Sequence, residues 1–125
     1  MLWPILQVGV RRNSVTMPVL PFLLVDTGAD STLLHLQMAA TLGLATTDLV
    51  EQKSSCAGGE TLIYAPKDLG SAEICIGGHW FRLPSLKFGA SLPMSLLGRD
   101  VIFSHFELRM TSGEIELRPL PRRII

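Results

Sequence analysis

Apolar runs in this chain are short, and prolines, glycine pairs or charged turns cut them every few residues. Such a rhythm leaves no room for long amphipathic helices and predicts many brief strands joined by tight turns. Leu2 to Val10 reads as a strand, with Arg11-Arg12-Asn13-Ser14 as the turn after it. Val15 to Val25 reads as extended chain, and Pro18 and Pro21 limit how much of it can pair centrally. Lys53 to Ala65 fits a hairpin with Gly58-Gly59 at its tip. Gly70 to Ile76 and His79 to Leu86 fit a second hairpin, turned at Gly77-Gly78, and Glu114 to Leu117 makes a last strand after Ser112-Gly113. Two segments carry helical spacing instead. In Ser31 to Leu42 the residues Leu33, Leu34, Met38 and Leu42 recur near the helical period, and Gly43 follows as a C-cap. Arg99 to Phe106 fits one or two helical turns, with Val101, Ile102 and Phe106 facing inward. The predicted fold class is all-β with one or two short helices.

Composition sets limits on what such a fold can do. A length of 125 residues suits a single domain over 1–125, and 47% hydrophobic content excludes disorder as the main state. Lys+Arg 11 against Asp+Glu 11 removes the electrostatic case for nucleic acid as a partner. The longest apolar run, Val19 to Val25, contains Pro21 and stops at Asp26, well short of the roughly 20 residues a bilayer requires. Met1 to Val10 lacks the basic lead and small-residue cleavage site of a signal peptide. The expectation is a soluble, cytoplasmic chain, or the soluble domain of a longer parent, with no membrane contact of its own. Cys56 and Cys75 do not make a disulfide framework. His35, His79 and His105 are scattered, and no metal or cofactor is predicted.

Chemistry concentrates in Phe22-Leu23-Leu24-Val25-Asp26-Thr27-Gly28-Ala29-Asp30-Ser31. A buried strand here runs directly into a carboxylate, which is costly to bury unless hydrogen-bonded. Gly28 permits a tight turn and offers an unshielded amide, and the Thr27 hydroxyl can both donate and accept. By itself Asp-Thr-Gly is a common turn. A second segment, Leu96-Leu97-Gly98-Arg99-Asp100, again joins paired apolar residues to a glycine and a helix start.

Together these segments resemble the retropepsins, the retroviral-type aspartic proteases, in which an Asp-Thr/Ser-Gly-Ala loop carries the catalytic Asp. In that family a later hydrophobic-hydrophobic-Gly segment threads beneath the loop and a helix beginning Gly-Arg-Asn/Asp follows. The Gly-rich hairpin at Ala57-Gly58-Gly59-Glu60 falls between the two motifs, where the family places its flap. Order and spacing agree from about Leu2 to Leu117. Three departures stand out: the helix Ser31 to Leu42 is longer than its viral counterpart, the flap lacks the viral Gly-Gly-X-Gly-Gly, and Cys56 has no counterpart.

The resemblance implies a retropepsin-like acid-protease barrel, active as an aspartic endopeptidase on polypeptide substrates. Such proteolysis uses two carboxylates sharing one proton, one activating water and the other protonating the scissile carbonyl oxygen. Like charges about 3 Å apart cannot both ionise, and the aspartic proteases are the standard instance. This chain has one Asp-Thr-Gly, and Asp100 occupies a helix start rather than a strand tip. The expectation is a twofold homodimer that sets Asp26 against its symmetry mate. By resemblance, Thr27 ties the two loops together, Gly28 presents its backbone, and Ala29 and Asp30 line the cleft. Arg99 pairs with Asp30, and Gly58 and Gly59 let the flap approach the substrate. Either terminus, Met1 to Leu6 or Ile115 to Leu120, could supply strands that join the subunits. The alternative is a catalytically silent retropepsin-like module for dimerisation or peptide gripping, and an intact Asp26-Thr27-Gly28 weighs against it. An unrelated β-barrel with a fortuitous Asp-Thr-Gly would be a monomer.

Overall fold

The computed structural model describes residues 4–56, 59–92, 94–111 and 114–121. Its strands, in chain order, are β1 (Ile5–Gln7), β2 (Gly9–Arg12), β3 (Val15–Thr16), β4 (Phe22–Val25), β5 (Leu33–His35), β6 (Leu49–Cys56) and β7 (Gly59–Pro66). They continue with β8 (Ala72–Ile76), β9 (His79–Arg82), β10 (Lys87–Gly89), β11 (Leu96–Leu97), β12 (Phe106–Thr111) and β13 (Glu114–Pro119). Two short helices, α1 (Met38–Thr41) and α2 (Arg99–His105), and a 3-10 turn at Thr46–Asp48 complete the chain. None of the described helices is long and apolar enough to cross a membrane.

A seven-stranded sheet in the order β1-β4-β11-β5-β10-β7-β6 and a four-stranded sheet β3-β2-β8-β9 enclose one core. Leu23, Leu34, Phe88 and Leu97 from the first sheet and Val10 and Ile74 from the second are fully buried there, as are Val101 and Ile102 of α2. The segment expected as one strand from Leu2 to Val10 is divided. β1 pairs with β4, whereas β2 pairs with β3 and β8, and the chain changes sheets at buried Val8, whose N–H donates to the Pro21 carbonyl at 3.0 Å. Arg11 and Arg12 extend β2 instead of turning. The turn falls on Asn13 and Ser14, at φ 47° and 69°. Arg11 stays in the strand because its charge is met across it. Its guanidinium binds Glu73 at 2.9 Å and stacks 3.9 Å from the Trp80 ring centroid. The hydrogen bond from Arg11 holds the Glu73 carboxyl below the usual carboxylate range.

The helix expected over Ser31 to Leu42 is confined to its second half, and the first half carries strand β5 instead. Leu33 pairs antiparallel with Leu96, and Leu33 to His35 run parallel to Lys87 to Gly89, so sheet partners distant in sequence override the local period. Only α1 remains helical. It stops at Gly43 (φ 78°) in a Schellman motif, with Gly43 N–H to Ala40 O at 3.1 Å and Leu44 N–H to Ala39 O at 3.0 Å. Gly77 and Gly78, at φ 60° and 82°, turn β8 into β9 as the glycine pair predicts. The first hairpin is also present, β6 against β7 with Cys56 opposite Gly59, and residues 57 and 58 lie outside the described set. β12 had no counterpart among the expected elements; it forms a hairpin with β13, which extends the last expected strand to Pro119.

Candidate active site

The apolar strand β4 ends at buried Val25 and delivers Asp26 to the tip of a loop. β11 runs parallel to β4, with Leu96 opposite Leu24 and Leu97 opposite Val25. The Asp26 N–H donates to the Leu97 carbonyl at 2.9 Å, and the Arg99 N–H donates to the Ala29 carbonyl at 2.8 Å. The loop is thus pinned at both ends by the second motif. Within it the Gly28 N–H donates to Asp26 Oδ1 at 2.9 Å and the Ala29 N–H to the Asp26 carbonyl at 3.2 Å. One carboxylate oxygen is thereby held while the group remains half-exposed. The dry setting expected for Asp26 is not reached within a single chain, because Thr27 and Gly28 on the same loop face outward and are exposed.

Gly98 marks the closest approach between the two motifs. A Cβ at this position would sit 2.8 Å from the Thr32 nitrogen and closer still to the Ser31 carbonyl, so only hydrogen fits. Its N–H donates to Thr32 Oγ1 at 3.0 Å, and that hydroxyl donates to Asp100 Oδ1 at 2.8 Å. Asp100 Oδ1 also accepts from the N–H groups of Thr32 and Val101, each at 2.9 Å, and Oδ2 accepts from Ser85 Oγ at 3.0 Å. Asp100 is therefore a structural acceptor at the first turn of α2, where a carboxylate also suits the helix dipole. Thr32, almost wholly buried, and Asp100 organise the site, yet neither carries a local signal beyond an acidic residue at a helix start.

Asp26, Thr27, Gly28, Ala29, Asp30 and Arg99 come together on this loop and the adjoining end of α2. Arg99 forms the expected ion pair with Asp30. Asp30 is 83% exposed, so the pair sits in water-like dielectric and contributes about 0–1 kcal/mol. Lys87 Nζ donates to Ser31 Oγ at 3.2 Å on the same flank. Gly59 opens β7, and Gly58 lies outside the described residues. A hollow of about 660 Å³ is lined by Trp80, Phe81, His105 and Pro119 among others, and by none of the Asp26 loop. Chemically, the loop offers a rigidly held carboxylate on an open surface, fit to act as a proton donor or acceptor once a second wall and a partner acid are supplied.

The profile of a family described as aspartyl protease matches residues 10–101. Among solved structures, the EIAV protease complexed with the inhibitor HBY-793 has a TM-score of 0.61 at 18% identity, covering 82% of this chain and 88% of that one. A retropepsin-like aspartic protease from Rickettsia conorii has a TM-score of 0.61 at 19% identity, covering 94% and 95% respectively. These likenesses show the retropepsin-like fold. Among curated proteins no significant sequence match is found.

Proposed function

Because the chain belongs to the aspartyl protease family, whose profile covers residues 10–101, we propose that it is an aspartic endopeptidase working as a homodimer. The observation that carries this reading is the Asp26 loop: a single Asp-Thr-Gly, its carboxylate fixed by the Gly28 amide, on a face with no second acid of the same kind. Two copies related by a twofold axis bring the Asp26 pair together. They also cover Thr27 and Gly28, and they supply the wall that one chain lacks.

In this reading one Asp26 takes a proton from water as that water attacks the scissile carbonyl. The other donates its proton to the carbonyl oxygen, and the roles are set by the one proton the pair shares. Gly28 keeps each carboxylate in place, so little reorganisation accompanies the transfer. Ala29 and Asp30 meet the substrate backbone, Arg99 braces Asp30, Thr27 ties loop to loop, and Gly58 and Gly59 let the β6–β7 hairpin close over the peptide. One domain suffices, and the substrate is an extended polypeptide.

Digestion of a peptide library from mildly acidic to neutral pH, with and without a pepstatin-type inhibitor, tests the proposal. Asp26→Asn should reduce cleavage at least about 100-fold while leaving the sedimentation of the dimer unchanged. Equal cleavage by the two proteins would rule the enzyme out, and a folded, dimeric, inactive wild type would favour a silent module.

A further inference from the structure

Alternation along the strands gives the seven-stranded sheet two faces. Leu23, Val25, Leu34, Phe88 and Leu97 turn to the core and are buried, whereas Leu24, Leu33, Lys87 and Leu96 beside them are half-exposed on the opposite face. Register lines these four up. Leu24 stands opposite Leu96, Leu96 opposite Leu33, and Leu33 opposite Lys87, one residue from each of β4, β11, β5 and β10. The row starts two residues before Asp26, so the alternation that turns Leu24 away from the core turns the half-exposed carboxylate the same way.

Three aliphatic side chains and then a lysine make an uneven wall. Lys87 Nζ donates one hydrogen bond, to Ser31 Oγ at 3.2 Å, and has two further N–H groups to offer. Ser31 lies two residues before Leu33, on the way back to the Asp26 loop, so this hydroxyl draws the ammonium along the face toward the acid. Among the described residues Lys87 belongs to no ion pair. Asp30 is held by Arg99, and the two oxygens of Asp100 accept from Thr32, Val101 and Ser85. A half-buried ammonium on an apolar wall, with no anion of its own, is stabilised by a negative group that a bound chain brings.

We infer that Lys87 is a specificity-determining residue of the cleft and selects a carboxylate side chain, Glu or Asp, in the polypeptide substrate. The inference rests on the homodimeric protease reading above and adds to it a class of substrate. Adjacent strands lie about 4.8 Å apart, so three steps along the row put the Lys87 backbone about 14 Å from Leu24. The flexible four-carbon stem of the lysine takes up part of that distance. An extended substrate advances about 3.3 Å per residue, which places the selected carboxylate within about four residues of the scissile bond. The twofold axis supplies a second Lys87, so the preference recurs at the same remove on the other side of that bond.

Matched peptides that differ only in Glu or Gln, scanned one position at a time on both sides of a cleaved bond, test this through kcat/KM. Wild type should favour Glu over Gln about tenfold at one position on each side. Lys87→Met, which keeps the length and apolar stem, should bring that ratio to about one. Lys87→Glu should reverse it, and Lys87→Arg should preserve it. Lys67→Met removes the same charge from an exposed site and should leave the ratio as in wild type. A lysine that only ties β10 to Ser31 gives a different pattern: Lys87→Met lowers cleavage of both peptides alike with the ratio unchanged, and that result overturns the inference. A wild type indifferent to Glu at every position overturns it too, and the protease reading then stands. A folded wild type that cleaves neither series refutes the protease reading and this inference with it. Circular dichroism verifies each fold, and if Lys87→Met does not fold, Lys87→Gln set against Lys87→Arg reads the same ratio.

Discussion

Gly98→Ala offers a direct measure of how tightly the two motifs are locked. Gly98 has φ −95° and ψ 179°, extended backbone that alanine adopts freely, so conformational strain is not the issue. The added methyl instead meets the Ser31 carbonyl and the Thr32 nitrogen, main-chain atoms that cannot rotate aside. Overpacking of this kind costs about 1–3 kcal/mol. Moving the loop to relieve it stretches the 3.0 Å bond from Gly98 N–H to Thr32 Oγ1, worth about 1 kcal/mol. The sum, about 2–4 kcal/mol, is a large part of the roughly 5–15 kcal/mol that holds a domain folded. At about 4 °C per kcal/mol for a chain of this size, the melting temperature should fall by about 8–16 °C. Peptide cleavage should fall further, by about 100-fold, because the same shift displaces Asp26. Thermal unfolding at one fixed protein concentration, paired with steady-state kinetics, reads both effects. Gly77→Ala is the control: φ is 60°, nothing lies within 4 Å of the new Cβ, and the cost is about 1–2 kcal/mol with cleavage intact. A Gly98→Ala protein that melts and cleaves like wild type would refute the steric lock.

Thr32→Val keeps the shape but leaves the Gly98 N–H unmet and removes one of three hydrogen bonds to Asp100 Oδ1, and should cost about 2–4 kcal/mol in urea unfolding. A double-mutant cycle on Arg99 and Asp30 should give a coupling of about 1 kcal/mol or less, since both side chains are at least half-exposed or nearly so. The Glu73 carboxyl is held below its unfolded value by Arg11, so its stabilising effect is complete at neutral pH and fades as pH drops through the lowered folded value. Glu73→Gln should therefore flatten the acid side of the stability profile while leaving the alkaline side alone.

Legibility in the sequence followed the range of the forces involved. Asp26-Thr27-Gly28, Leu96-Leu97-Gly98, the Gly77-Gly78 turn and the Gly43 stop are local devices, written in neighbouring residues. Leu33 to His35 carry helical spacing, while the partners that make them a strand, Leu96 and Lys87 to Gly89, are remote. The change of sheets at Val8 and the continuation of β2 through Arg11 likewise depend on Pro21, Glu73 and Trp80. Thr32 carries no sequence signal for the same reason, and Asp100 shows only as an acid at a helix start. The hydrogen bonds that tie Thr32 to Asp100 and to Gly98 span 68 and 66 positions, and no pattern of period or composition announces such a pairing.

The parallel seating of β11 beside β4 also sets a timetable for biosynthesis. A growing chain leaves the ribosome amino end first, so the Asp26 segment emerges long before the Leu97 carbonyl and Arg99 amide that pin it. Contacts of such long range are slow to close and close late. The acid loop consequently stays unpinned until the chain through Arg99 has emerged as well, so its geometry is completed after synthesis of the segment that carries it.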